Sequence, residues 1–453
     1  MRWLTRMTLL AILALHWPVQ VLGQSTPAGV AATQPATQPA EELAELVTAY
    51  FKANEDREAA RALRQIRALP DIGIEDVAKA IREAKLWSEQ EPGRQELVED
   101  AAADPPSTVT VEIPRGYDPA KAYPLLLALC DNGETLDAGI KRLKALLGDG
   151  ANQFILAATV DLSGCWFGAM PAEAGRPVEM LERIRRQLHV DTSRVYLLGS
   201  GRGGHAAFSL AALQSHWIAG AIVIDGTLPV QFSPAELELL LPNLEHTPVV
   251  VVYGDKVAPE VRMANVYIAQ FAEEHDLPIR MLDLESSEDR AAQDLIAALD
   301  AILKQRQPQN VSKSGQWFRY VVQGRCGWLR GRELTDGPWT AQYLDVRPAM
   351  GEGVVEATRA VLEEKLGFVG GSIEGQTVRV QTRGCEEIEL LISADMLDLS
   401  RDVVIYVDGT IRYEKPVNAR IETMLELARE DWEFQRLWSV RLRIARKGLA
   451  IQY

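Results

Sequence analysis

Val195-Tyr196-Leu197-Leu198-Gly199-Ser200-Gly201-Arg202-Gly203-Gly204-His205-Ala206-Ala207-Phe208 runs four apolar residues into a glycine-rich turn and then into a row of small residues. An unbroken apolar run is the pattern of a strand buried on both faces. Glycines without a Cβ let the chain reverse tightly and let a following helix approach the sheet closely. The stretch therefore predicts a strand, a sharp turn and a helix, the repeating unit of a parallel α/β sheet.

The same alternation extends on both sides. Residues 108–113 alternate apolar and polar, and 123–129, 154–160, 195–198, 218–224, 248–253 and 279–284 are short apolar runs. Helical spacing fits 178–188, 204–213, 261–274 and 290–303. These segments predict a doubly wound α/β domain over 105–306. After Pro308 the pattern changes to strand-like alternation, as in Trp317-Phe318-Arg319-Tyr320 and Thr377-Val378-Arg379-Val380, and Val403–Val407 is closed by the turn pair Asp408-Gly409. Residues 307–453 are thus read as a β-rich domain whose end, at 421–427 and 434–442, is helical.

At the other end, Arg2 and Arg6 precede an apolar stretch that His16, Pro18 and Gln20 cut short, and Val21-Leu22-Gly23 offers small residues for cleavage. Residues 1–23 read as a signal peptide, which leaves no stable membrane anchor after cleavage and a secreted or periplasmic protein. Residues 24–40, rich in Pro, Ala, Thr and Gln, read as a disordered linker. Residues 41–104 read as a helical region that caps the domain after it.

The 453 residues carry 48 Lys+Arg against 63 Asp+Glu, a formal charge of −15. Such a balance disfavours nucleic acid, which needs a positive surface to displace phosphate counterions. Four cysteines and six histidines without CxxC or HxxxH spacing suggest no metal site, and no cofactor is expected. In an oxidising compartment Cys326 with Cys385, and Cys130 with Cys165, can pair; buried free thiols are the other reading.

Together with Asp191-Thr192-Ser193-Arg194, the turn and its Gly-Gly-His-Ala-Ala-Phe continuation resemble the nucleophile elbow of α/β hydrolases, in particular secreted bacterial esterases related to polyhydroxyalkanoate depolymerases and prolyl oligopeptidase. The resemblance covers the strand and helix order of the whole domain. It implies an α/β-hydrolase-like sheet and, in an active member, a serine at the middle of GxSxG with an acid and a histidine later in the chain.

This chain departs from that pattern at each position. Gly201 stands where the nucleophile belongs, and Ser200 is one residue early. Val257, in Tyr253-Gly254-Asp255-Lys256-Val257, stands at the acid. Glu285 opens the connection that should bring the histidine, and no histidine follows His275. Asp131, in Cys130-Asp131-Asn132-Gly133, puts negative charge where an oxyanion must be stabilised. The expected function is that of an exported, catalytically inactive homologue that binds or supports envelope material. An active esterase or peptidase with relocated groups, using Ser200 or His205, is one alternative. Gly199, Gly201 and Gly204 also spell GxGxxG with Asp225 ending the next strand, so a dinucleotide-binding protein is the other. Asp131, Trp166, Phe167, Asp225 and Asp255 are the candidate ligand residues at the sheet's carboxyl end, suited to a polysaccharide or peptide. Residues 392–399 and 403–409 resemble a small β module that follows the hydrolase domain in some secreted esterase-like proteins.

Overall fold

The computed structural model describes residues 38–453 apart from 101–106, 232–233, 255–256, 284–287, 341–343, 447, 449 and 453. The signal peptide and nearly all of the linker, together with Asp255 and Glu285, lie outside the described residues. Among the described residues no helix is long and apolar enough to cross a membrane.

Three amphipathic helices come first: α1 (Gln38–Lys52), α2 (Asp56–Ala68) and α3 (Ile74–Arg82). Their apolar faces, with Val47, Phe51, Ile66, Val77 and Ile81, close a core with Met424, Leu425, Trp432 and Phe434 from the far end of the chain. The cap therefore sits chiefly on the last domain rather than on the next one. It reaches the α/β domain through Trp87, which stacks on His189 and donates its indole N–H to Arg185 O at 2.8 Å.

The α/β domain is built on β1 (Gly93–Asp100), β2 (Ser107–Ile113), β3 (Tyr123–Leu129), β4 (Ile155–Thr159), β5 (Val190–Ser200), β6 (Gly220–Ile224), β7 (Val249–Tyr253) and β8 (Ile279–Asp283). They form one sheet in the order β1-β2-β4-β3-β5-β6-β7-β8, with β1 and β2 antiparallel to their neighbours and the rest parallel. That is the strand order of an α/β hydrolase. Helices α4 (Leu136–Leu147), α5 (Arg176–Gln187), α6 (Arg202–Leu213), α7 (Ala235–Leu240), α8 (Pro259–Glu274) and α9 (Glu288–Leu303) fill the crossovers and cover both faces. The strand β1 corrects the reading of 41–104 as helical throughout. Its Gly-Arg-Gln-Glu-Leu-Val-Glu-Asp sequence is the charged composition of an edge strand, which does not alternate cleanly.

The β-rich part supplies β9 (Lys313–Phe318), β10 (Arg325–Cys326), β11 (Leu329–Leu334), α10 (Val354–Lys365), β12 (Gly367–Glu374), β13 (Thr377–Arg383), β14 (Cys385–Ile392), β15 (Val403–Val407), β16 (Thr410–Lys415), α11 (Ile421–Asp431), β17 (Val440–Ala445) and β18 (Ala450–Gln452). Two five-stranded sheets, β10-β11-β14-β17-β18 and β16-β15-β13-β12-β9, share one apolar core. Asp408 and Gly409, at φ 49° and 77°, make the hairpin between β15 and β16. The segment 434–442 is not helical. Trp432, left-handed at φ 47°, ψ 47°, ends α11, and from Val440 the chain pairs with β14 as β17. Apolar residues at 434, 437 and 438 imitate a helical face although they belong to a loop packed against α1–α3 and the sheets.

All four cysteines are buried free thiols. Burial pushes the thiols of Cys326 and Cys385 up to about 12 and that of Cys130 to about 11.

Where the domains meet, a cluster of charges is taken out of water. Arg325 and Arg330 converge on Asp431, Arg330 and Arg443 on Glu389, and Arg436 on Glu433. Buried ion pairs of this kind cost desolvation and repay it only through full geometry, so they fix orientation more than they add stability.

Candidate functional site

The order β4-β3-β5 reverses the direction of winding at β3 and β5, and the loops leaving these two strands face each other across the crevice where α/β sheets bind ligands. Asp131 leaves β3. Gly201 leaves β5 and holds φ 53°, ψ −122°, a backbone state open to glycine and strained for other residues. Gly201 N–H donates to Ile224 O at 2.9 Å, and α6 begins at once. The bend has the strand, sharp turn and helix expected from the sequence, and the residue at its apex has no side chain.

The neighbouring glycines make this geometry possible. A Cβ on Gly203 would stand 2.0 Å from Leu129 O, and one on Gly199 2.0 Å from Gly203 O. Both obstacles are backbone, which cannot swing aside. The helix that follows is buried along almost its whole length, from Gly203 to Leu213, as its small and apolar composition requires.

The crevice is occupied from within. A Cβ on Gly201 would lie 2.3 Å from Asp131 Oδ2 and 2.6 Å from its Cγ, so the Asp131 carboxylate stands where a nucleophilic side chain would start. Asp131 Oδ1 accepts the N–H of Arg202 at 2.9 Å and that of Asn132 at 2.8 Å. In an elbow enzyme the N–H after the nucleophile and one N–H from the loop after the third strand hold the oxyanion. Here both kinds of donor are already engaged by a carboxylate of the chain itself. The same contact occupies the N–H of Arg202 at the helix N-terminus, where a pyrophosphate would bind.

Ser200 faces elsewhere. Its Oγ accepts from Arg142 Nη1 at 2.7 Å, and Arg142 is paired with Glu134 at 2.7 Å, so the hydroxyl meets a cation that can only donate. His205 Nδ1 lies 3.0 Å from both the N–H and the carbonyl of Thr227. Val257 is half-buried against the apolar core. Asp225 is exposed in a left-handed turn at φ 50°, its Oδ1 accepting Gly254 N–H at 3.3 Å, which is the role of a strand-end turn residue.

The structure brings Asp131 and Trp166 together through Arg202, whose guanidinium sits over the Trp166 ring at 5.7 Å and donates to Asn132 Oδ1 at 3.1 Å. It does not bring Phe167 to the crevice. Phe167 is 4% exposed, within the main core, and its carbonyl accepts from Arg319 at 3.3 Å, so its reading as a ligand residue is corrected. Arg202, Asn132, Glu134 and Arg142 had no motif to announce them. Their partners lie up to 71 positions away in sequence, and only the fold supplies the pairing.

No family of known proteins and no curated protein matches this sequence. Among solved structures it is similar to a thermostable esterase (15% identity, TM-score 0.37, 47% of this chain and 63% of that one). It is also similar to a ferulic acid esterase (13%, TM-score 0.39, 47% and 99%) and to S-formylglutathione hydrolase from Staphylococcus aureus (10%, TM-score 0.36, 48% and 100%). The chain spans less than two thirds of the thermostable esterase. At these scores the likeness adds no weight to the strand order.

Proposed function

We propose that this chain is an exported α/β-hydrolase-fold protein that does not hydrolyse and acts as a binding or structural component of the cell envelope or its surroundings, with a polysaccharide or peptide as ligand. The observation that carries the reading is the Asp131 carboxylate, set against the Cα of Gly201 and accepting the Arg202 and Asn132 N–H groups. An anion fixed at the spot where a tetrahedral oxyanion forms opposes the charge that catalysis must stabilise. Ser200 adds to it, because a hydroxyl facing a guanidinium has no base to take its proton.

The working-esterase reading needs Ser200 to abandon Arg142 and Asp131 to leave both donors. The test is turnover of short-chain nitrophenyl esters and labelling by a fluorophosphonate, with Ser200→Ala as control. The proposal expects neither above buffer. Export is tested by fusing residues 1–30 to a reporter that is active only outside the cytoplasm.

A further inference from the structure

The outer face of the sheet β16-β15-β13-β12-β9 carries an aromatic and glycine patch among its charged residues. Register places Trp317, Phe368 and Arg383 in one row across β9, β12 and β13, Gly315, Gly370 and Gln381 in the next, and Lys313, Ser372 and Arg379 in the third. Their alternate neighbours Val369, Val378 and Val380 fill the core, so this set points outward.

The middle row has two glycines side by side on adjacent strands, which costs strand stability and marks places of close approach. Phe368 lies over them: a Cβ on Gly370 would come within 2.6 Å of its ring, and one on Gly315 within 3.5 Å. Trp317 stands beside it, ring centroids 4.8 Å apart. Facing this pair are Asn243 and Glu245 of the α/β domain, and the space between is a groove of about 490 Å³, within the range of small-ligand sites.

We propose that this groove binds a neutral saccharide chain. An aromatic platform matches the apolar C–H face of a pyranose ring, while Gln381, Ser372, Arg379 and Glu374, at its rim, offer the donors and acceptors that ring hydroxyls need. The charges lining it cancel, Lys313 and Arg379 against Glu245 and Glu374, with Lys313 and Glu245 3.2 Å apart, so an anionic ligand gains nothing here. A peptide adding as a strand is opposed at the edge of β9, whose backbone groups are already taken. Asn243 holds both the N–H and the carbonyl of Trp317, at 2.8 and 2.9 Å, and His246 donates to Lys313 O at 2.8 Å. The same clamp preorganises Trp317.

The ligand class rests on reading the chain as a binding protein, whereas the location of the groove does not. Ester hydrolysis by the wild type would overturn that reading and leave the groove to be judged on its own test. The full chain is run in native gels containing hydroxyethylcellulose, xylan, glucomannan or galactomannan, with polygalacturonate as the charged control. Retardation by at least one neutral polymer is expected. Gln381→Ala, exposed and without a structural partner in the groove, should weaken it about tenfold at an unchanged melting temperature, as should Phe368→Ala if that variant folds. Met263→Ala, exposed on α8 and outside the groove's lining, should leave it unchanged. No retardation by any neutral polymer, retardation by polygalacturonate alone, or retardation that Gln381→Ala leaves intact would overturn the proposal.

Discussion

The glycines of the elbow and Gly315 of the outer sheet face do opposite things with the space they leave, while the space beside Gly370 is filled by the Phe368 ring. At Gly199, Gly201 and Gly203 the room that a side chain would take is filled by backbone carbonyls or by the Asp131 carboxylate. At Gly315 the nearest obstacle to a Cβ is a ring at 3.5 Å, an ordinary van der Waals contact. A crevice that looks like an active site in the sequence is closed by its own groups, whereas a sheet face with no motif keeps an open groove. The two are joined by α6, which starts at the elbow and ends by holding β9: Gln316 Nε2 donates to Ala212 O at 3.1 Å, and Ser215 Oγ donates to Gln316 Oε1 at 3.0 Å.

The largest effect expected from this contrast is at Gly203. Gly203→Val should destabilise the protein by about 3 kcal/mol or more, since overpacking here meets the Leu129 carbonyl rather than a movable side chain. An unchanged melting temperature would show that the elbow is misplaced. Gly201→Ser should cost about 1–3 kcal/mol from its φ of 53° and from displacing Asp131. Asp131→Ala in the same chain should recover part of that cost, a coupling that a double-mutant cycle measures directly. Neither variant should gain esterase activity, because a serine without a base stays protonated.

Acid should act on the link between the two regions. His216, just beyond α6, is buried among Arg325, Arg436, Arg330 and Arg185, and burial first, then those cations, hold its pKa well below the usual histidine value. Above about pH 6.5 it is neutral in the folded and the unfolded chain. As pH falls below that, the unfolded chain takes up a proton that the folded one refuses, so stability drops by up to about 1.4 kcal/mol per pH unit for this group. Half-buried His189, also lowered by burial, has the same sign. The melting temperature measured from pH 7.5 to 5 should fall, and His216→Gln should flatten part of the slope. A parallel slope in that variant would place the acid sensitivity elsewhere. The smallest effect belongs to the outer sheet: Gly315→Ala should change stability by less than about 1 kcal/mol, because a methyl fits there and strand glycine is itself unfavourable. A large loss would break the contrast between Gly315 and the elbow glycines.

Much of the fold was legible because parallel strands buried on both faces leave continuous apolar runs. Residues 123–129 and 249–253 are strands almost to the residue, and the turn at Gly201 could be read from glycine spacing alone. What escaped depends on neighbours distant in the chain. The edge strand β1 is too charged to alternate, and 434–442 imitates a helix because its apolar residues serve several cores in succession. The sequence placed Asp131 near the oxyanion position but could not say that its carboxylate turns inward to meet Arg202. Phe167 and Trp166 are adjacent and equally aromatic, yet one is core and the other lies under Arg202. The outer groove left no trace, since its row of Trp317 and Phe368 exists only once β9 and β12 are paired.

The central claim, that the elbow is occupied and cannot act, is tested most directly by exposing the purified chain to a fluorophosphonate probe beside nitrophenyl butyrate hydrolysis, for wild type and Ser200→Ala. The account predicts no labelling and no turnover above buffer in either. Labelling of wild type that disappears in Ser200→Ala would contradict it, because it would mean that Ser200 leaves Arg142 and finds a base.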